Sequence, residues 1–271
     1  MNPFFFGSRR RLLFGIYHPP TGRPVEPAGI VLCPPLALEY MRGYRQLRQL
    51  AIQLSGRGFH VFRFDYHGTG DSGGTSGQET LGGWRRDVET AIQELRDLSG
   101  VTRITLIGVR FGAILAARAA ASTRNLEELV FWQPTVTGRA HLDWMLDRAK
   151  VKGRRRTRIT GPTTDPAGEL ETIAVDGFPL SLRLLREIGT TDLASRSIGE
   201  LRAQRMVVIA PSGEEASTLV AALQEADMPH LHREVPDEGG WEDPSRQNTV
   251  VLAPQATRAI VESVARTPRP S

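Results

Sequence analysis

The sequence predicts an α/β domain with a mostly parallel central sheet flanked by helices. Short apolar runs of strand length alternate along the chain with longer segments in which apolar residues recur at helical spacing. The chain has 271 residues, of which 40% are hydrophobic and 24% charged, enough for one full hydrophobic core. This composition excludes a disordered or fibrous protein.

The N-terminal half supplies the first elements in order. Residues 4–17 predict an opening hairpin broken at Gly7-Ser8. Residues 30–33 predict a buried strand that Pro34-Pro35 ends, because proline cannot donate to a ladder. A helix with apolar residues on one face follows and stops at Gly56 and Gly58. The next predicted elements are a strand at 60–64, a loop at 65–74 and an amphipathic helix at 81–98.

The second half continues the alternation after one long interruption. It predicts a strand at 103–107, a turn at 108–112, a helix at 113–121, strands at 129–132, 206–210 and 230–235, and a closing helix at 254–265. Between Trp132 and Met206 no stretch fits the alternation, which is typical of a helical cap inserted over a site. We therefore expect a core formed by residues 1–137 and 201–271, with a helical cap insert at 138–200.

The turn Gly108-Val109-Arg110-Phe111-Gly112 is the most informative motif of the chain. Its spacing predicts a sharp strand-to-helix turn, with a glycine on either side because the helix must pass close to the strand. In a G-x-S-x-G turn the central residue is a nucleophilic serine. Arginine stays protonated, so it binds anions but cannot be acylated.

This turn belongs to an ordered set of motifs that resembles a known superfamily. Together with Pro34-Pro35 and the loop Asp65-Tyr66-His67-Gly68-Thr69-Gly70-Asp71-Ser72, it resembles the α/β-hydrolase superfamily, in particular its serine-aminopeptidase-like branch. The segments Leu32-Cys33-Pro34-Pro35 and Glu39-Tyr40-Met41-Arg42, with Arg110, are similar to hydrolase-like proteins of exosortase and exopolysaccharide gene clusters. The resemblance implies an α/β-hydrolase fold, which alone does not establish chemistry.

The superfamily would carry a serine, an acid and a histidine in chain order. Here the serine position is Arg110, and the acid position after the strand at 206–210 falls near Glu214 or Glu215. The histidine position falls near Gly240-Trp241, where no histidine stands, and His230 and His232 lie too early. We therefore expect no ordinary serine hydrolase activity.

An anion-binding site can be present without the triad side chains, because an oxyanion hole in this fold uses backbone N–H groups. The candidate donors are Phe111 and either Leu36 or Ala37. Arg110, at a helix N-terminus, suits a carboxylate or phosphate. The alternative is that Arg110 pairs with an acidic residue of the chain and plugs the pocket. The possible partners are Glu39, Asp237 and Glu238.

Other candidate residues are fewer. His67 lies in the loop after the strand at 60–64 and is the best-placed general base, unless it serves only loop structure. Trp241 is a candidate pocket wall, as are the other tryptophans Trp84, Trp132 and Trp144, with core packing as the alternative. We expect Cys33 to be an inert core cysteine. No nucleotide loop or zinc-ligand spacing occurs, so we expect no cofactor and no metal.

Three functions remain open. The chain is either a triad-less accessory protein that binds a small acyl, ester or carboxylate compound, or an enzyme with altered chemistry such as a hydrolase, acyltransferase or lyase. In the third alternative, a scaffold, the seven basic residues between Arg148 and Arg158 dock an acidic protein or a membrane surface. A net charge of +4 does not imply nucleic acid. No secretory-signal or membrane-span pattern occurs, so we expect a cytoplasmic protein.

Overall fold

An eight-stranded sheet forms the centre of the molecule in the computed structural model, which describes residues 1–23, 28–151, 163–164, 171–175, 177–246 and 248–265. The strands in chain order are β1 Asn2–Ser8, β2 Arg11–His18, β3 Ala28–Cys33, β4 His60–Phe64, β5 Arg103–Val109, β6 Leu126–Trp132, β7 Thr163–Thr164, β8 Glu171–Val175, β9 Phe178–Ser181, β10 Arg205–Ala210 and β11 His230–Glu234.

The strand order across this sheet is β1-β2-β4-β3-β5-β6-β10-β11. The strands β4, β3, β5, β6, β10 and β11 run parallel to one another, whereas β1 and β2 pair antiparallel. The mostly parallel sheet and the opening hairpin are therefore confirmed. Because the parallel strands share one direction, their carboxyl ends lie along the same edge of the sheet, which is the edge that binds ligands in such folds.

Helices cover the two faces of the sheet. They are α1 Ala37–Gly56, α2 Leu81–Ser99, α3 Gly112–Ala120, α4 Gly138–Val151, α5 Leu182–Gly189, α6 Glu214–Glu225 and α7 Pro254–Ala265. Side chains of α1 and α7 form one core cluster, which includes Leu50 and Ile260. Those of α2 and α3 form the other, which includes Trp84 and Leu115. The apolar helical spacing that predicted α2 is thus the face that packs on the sheet.

The insert differs from the purely helical cap that the sequence predicted. Besides α4 and α5 it contains the antiparallel sheet β7-β8-β9. In the sequence, Asp176-Gly177 separates two apolar runs, a pattern that favours a tight hairpin turn. Gly177 has a φ of 90°, which glycine adopts without a steric penalty. The insert packs on the domain, because Val175, Leu184 and Ile188 belong to the same core cluster as α2 and α3.

Among the described residues, no helix combines the length and the apolar character that crossing a membrane requires. The basic run at 148–158 contributes its first residues to the end of α4, and its side chains lie outside the described part of the chain. The scaffold hypothesis that depends on this run therefore stays a prediction.

Candidate functional site

The turn between β5 and α3 is a sharp strand-to-helix turn with close backbone contacts, as its two glycines predicted. A Cβ on Gly112 would lie 2.3 Å from the carbonyl oxygen of Cys33, and one on Gly108 would lie 2.4 Å from Cα of Ala113. Both contacts are too close for any other residue, so α3 starts directly against β3 and β5. Arg110, at the centre of the turn, has a φ of 51°, a left-handed conformation that is uncommon outside glycine.

The guanidinium of Arg110 is enclosed by acceptors. Its Nε donates to Oε1 of Glu39 over 2.9 Å, and Nη2 donates to Oε1 of Glu242 over 2.6 Å. Nη1 donates to the carbonyl oxygen of Gln133 over 3.3 Å. Burial disfavours the charge, but the two carboxylates outweigh it and raise the pKa of Arg110 above its ordinary value. Arg110 is therefore a permanent cation that the chain itself neutralises.

The sequence anticipated one of these two partners. Glu39, in the first turn of α1, was among the expected acids, whereas Glu242 was not. The other two expected partners bind elsewhere. Asp237 accepts from the side chain of Gln133 and from the backbone N–H of Gly240. Glu238 accepts from backbone N–H groups at the start of α7.

A cavity of about 400 Å³ opens beside Arg110, at the carboxyl edge of the sheet. Trp144 and His141 of α4 form its aromatic side, with ring centroids 5.6 Å apart. The acidic residues that line it are Glu214, Glu215, Asp237 and Glu242. Residues of α4, α6 and the loops after β6 and β11 thus enclose one site, and its wall carries more negative than positive charge.

Both residues expected at the acid position line this cavity. Glu214 and Glu215 begin α6, directly after β10. Burial raises the pKa of Glu215 above its ordinary value, and the nearby carboxylates of Glu242 and Glu39 raise it further against the opposing effect of Arg110. Glu215 therefore binds a proton more tightly than an ordinary glutamate does, a property common among functional carboxyl groups.

His67 does not line the cavity that contains Arg110. Its Nδ1 lies 2.6 Å from Oε1 of Glu79, and its backbone N–H donates to Asp87. Arg11 of β2 bridges Glu79 and Asp87 through its own guanidinium. His67 is thus part of an ionic network that fastens the loop after β4 to β2 and α2. The hypothesis that it is a general base gains no support from this placement.

The candidate backbone donors lie at the two expected helix starts. Within the described residues, the N–H groups of Phe111 and Leu36 donate no hydrogen bond. Ala37 has a φ of 49° and lines a second cavity, of about 710 Å³, between α1, the loop after β4 and β9. The ring of Phe111 is fully buried and stacks on His141, with centroids 5.5 Å apart. Phe111 therefore packs behind the cavity wall, against the ring of His141.

Sequence reasoning missed His141 because the insert offers no motif around it. The side chain is buried, and its Nδ1 lies 3.4 Å from Oγ1 of Thr135, which also lines the cavity.

The remaining histidine and cysteine candidates lie outside this cavity. His230 and His232 lie on β11, as expected, away from the loop that follows it. Cys33 is buried at the end of β3, and burial raises the pKa of its thiol, which makes the thiolate unfavourable.

Trp241 does not line the cavity, contrary to the prediction. It is 1% exposed, lies in the core cluster of α1 and α7, and packs against Trp132 at a centroid distance of 6.2 Å. A Cβ on Gly43 would lie only 2.9 Å from its ring. The indole is turned inward because the loop after β11 folds back onto α1. Of the four tryptophans, Trp144 lines the cavity that contains Arg110.

Arg42 holds this loop in place, a role that the Glu39-Tyr40-Met41-Arg42 segment did not reveal in the sequence. Its guanidinium donates to the backbone carbonyl oxygens of Gly239, Gly240, Trp241 and Thr249. The loop that follows β11 is therefore fixed to α1 through its main chain, with Glu242 presented toward Arg110.

Comparisons with known proteins agree with this architecture. A family model described as Hydrolase_4, serine aminopeptidase, S33, matches residues 28–170, just over half of the chain. Two curated relatives, both named palmitoyl-protein thioesterase ABHD10, mitochondrial, from Homo sapiens and Pongo abelii, are 38% identical over 94 residues. That match covers 34% of this chain and only 28% of the length of those relatives.

Solved structures match over nearly the whole chain. A complex of DcsB with its substrate analogue has a TM-score of 0.66 at 17% identity, covering 97% of this chain and 96% of that one. Est1E from Butyrivibrio proteoclasticus with ferulic acid has a TM-score of 0.64 at 16% identity, covering 97% of this chain and 96% of that one. A carboxyl esterase from Bacillus coagulans with glycerol has a TM-score of 0.65 at 14% identity, covering 97% of each chain. At these identities the likeness shows the fold.

Proposed function

This chain belongs to the serine aminopeptidase S33 family of α/β hydrolases, and from that premise we propose that it binds a small acyl, ester or carboxylate compound without serine-dependent hydrolysis. The observation that carries the proposal is Arg110, which stands on the strand-to-helix turn where a G-x-S-x-G motif has its serine. Its guanidinium, held by Glu39 and Glu242, offers no nucleophile.

The histidine position of a triad supports the same proposal. The loop after β11 contains no histidine, and Glu242 contacts Arg110 from it. Ser212 also lines the cavity, but its hydroxyl donates to Glu234 over 2.8 Å, and a carboxylate alone does not replace the histidine of a triad.

The cavity nevertheless has the features of a ligand site. Its volume of about 400 Å³ is within the usual range for small-molecule pockets, and aromatic and polar side chains converge on it.

We infer an accessory role in a biosynthetic or exopolysaccharide pathway from the narrower resemblance carried by residues 32–35 and 39–42. The cytoplasm is the proposed compartment. The curated relatives are mitochondrial by name, so microscopy of the tagged full chain is the test.

A fluorophosphonate probe and a thermal-shift screen test the binding function. We expect no covalent labelling of the wild-type protein, together with a rise in Tm on addition of small carboxylates or acyl esters. Covalent labelling at a serine would contradict the proposal. The same would hold for hydrolysis of p-nitrophenyl esters that persists after chromatographic purification to constant specific activity.

A second candidate function rests on Glu215. A buried carboxyl group with a raised pKa in a cavity is a common property of acid–base catalysts, so the alternative is an enzyme that uses Glu215 in place of a triad. Because the curated relatives are palmitoyl-protein thioesterases by name, thioesters are the first substrates to assay. Turnover that Glu215→Gln abolishes and Glu214→Gln retains would establish this function over simple binding.

A further inference from the structure

The two carboxylates on Arg110 differ in how firmly they are held. The side chain of Glu39 is 2% exposed and comes from helix α1, whereas that of Glu242 is 56% exposed and comes from a loop. Both Arg110 and Glu242 line the cavity, and Glu39 does not. Arg110 therefore has one permanent partner behind the cavity wall and one partner on its open side.

We propose that Glu242 occupies a binding position for a ligand carboxylate on Nη2 of Arg110, and that a small monocarboxylate displaces it into solvent. This inference rests on the proposed binding function and names its ligand class. The exchange conserves the charge balance around Arg110, because one carboxylate replaces another on the guanidinium and the pair of Arg110 with Glu39 stays intact. Glu242 is already more than half exposed, so its return to water is inexpensive.

Binding beside an undisplaced Glu242 is unfavourable for the same reason. Glu39, Glu242 and Glu215 already surround a single cation, and their mutual repulsion contributes to the raised pKa of Glu215. A further anion without displacement would add a fourth carboxylate to that cluster. The geometry thus links ligand binding to the release of Glu242.

The remainder of the ligand faces an aromatic surface. Trp144 and His141 lie on the cavity wall with their ring planes inclined by 30°. A flat apolar group stacks well on such a surface. We therefore infer a compact monocarboxylate with a planar or apolar body, for which benzoate is the probe. Benzamide has the same shape without the charge and is its matched control.

The test compares benzoate binding to the wild-type protein, Glu242→Gln and Glu214→Gln by isothermal titration calorimetry. Removing the internal competitor should tighten benzoate binding about tenfold, the effect of losing one charge-assisted hydrogen bond. Glu214→Gln removes the same charge from the same cavity but not from Arg110, so its effect should be much smaller. Benzamide affinity should change little in both variants. Glu242 and Glu214 are both exposed, so neither variant threatens the fold.

Crystals of the wild-type protein grown with benzoate supply a second readout. The expected structure has the benzoate carboxylate on Nη2 of Arg110 and the side chain of Glu242 turned into solvent. Equal benzoate affinity for the wild-type protein and Glu242→Gln would overturn the displacement and leave the binding function standing. Failure of Glu242→Gln to bind millimolar benzoate would also overturn it. Labelling by a fluorophosphonate would instead overturn the proposed function.

Discussion

Nε of Arg110 donates a 2.9 Å hydrogen bond to Oε1 of Glu39, and the two side chains are 3% and 2% exposed. The pair joins the turn after β5 to the first turn of α1. A buried pair of this kind adds little net stability compared with an apolar pair, but removal of one partner leaves an uncompensated charge in the interior.

We therefore expect Arg110→Gln to lower the free energy of unfolding by about 3 to 5 kcal/mol. The double variant Arg110→Gln with Glu39→Gln should recover most of that loss, because neither charge is then left alone. Urea denaturation of the wild type, both single variants and the double variant measures the coupling. Losses that simply add in the double variant would show that the two side chains do not depend on each other.

The stability of the protein should depend on pH through Glu215. Burial and the neighbouring carboxylates raise its pKa above the ordinary value of 4.5, so the folded chain binds this proton more tightly than the unfolded chain. The contribution of Glu215 to the free energy of unfolding therefore falls as the pH rises from 4.5 through the raised pKa. Glu215→Gln should be more stable than the wild type at pH 7 and gain nothing below pH 4.5. A gain that is the same at every pH would refute the assigned cause.

His67 should affect stability and leave the cavity unchanged. Its imidazole loses the contact with Glu79 in His67→Ala, at an expected cost of about 1.5 to 3 kcal/mol for a hydrogen bond to a charged group. Benzoate affinity, measured by calorimetry at a temperature where the variant stays folded, should equal that of the wild type. A large loss of benzoate affinity with little loss of stability would instead indicate that His67 contributes to the binding site.

Gly112 should tolerate no side chain. Gly112→Ala would place its Cβ 2.3 Å from the carbonyl oxygen of Cys33, so backbone must move, at a cost of roughly 4 kcal/mol or more. Gly213→Ala is the matched control, because a Cβ there meets no atom within 4 Å and the backbone is extended, with φ 167°. Its expected change is about 1 kcal/mol or less, because alanine at the N-cap of α6 is only somewhat less favourable than glycine. Thermal melting of both variants measures the contrast.

The sequence predicted those parts of the molecule that depend on local spacing. Apolar periodicity placed α2, and the glycines at 108 and 112 placed the turn, because a close approach of backbone leaves a readable residue type. The hairpin of β8 and β9 had a turn signal at Asp176-Gly177, but the long interval without matching alternation concealed it.

The partners of Arg110 could be predicted only in part. Glu39 stands near a recognisable motif, whereas Glu242 comes from a loop whose path is set by Arg42, nearly 200 positions earlier in the chain. The direction of Trp241 had no local signal either, because an aromatic residue in a loop suits a pocket wall and a core equally well. Both features arise from tertiary contacts that leave no periodic pattern.

The hydrogen bonds from Arg42 go to main-chain carbonyl oxygens, which every residue type provides. The course of this loop is therefore largely independent of the side chains that it displays. At position 242, where the side chain is mostly exposed, a substitution therefore carries little risk to folding. A protein engineer gains the same freedom: new chemical groups introduced at position 242 are delivered to the cavity on a scaffold that is already held in place.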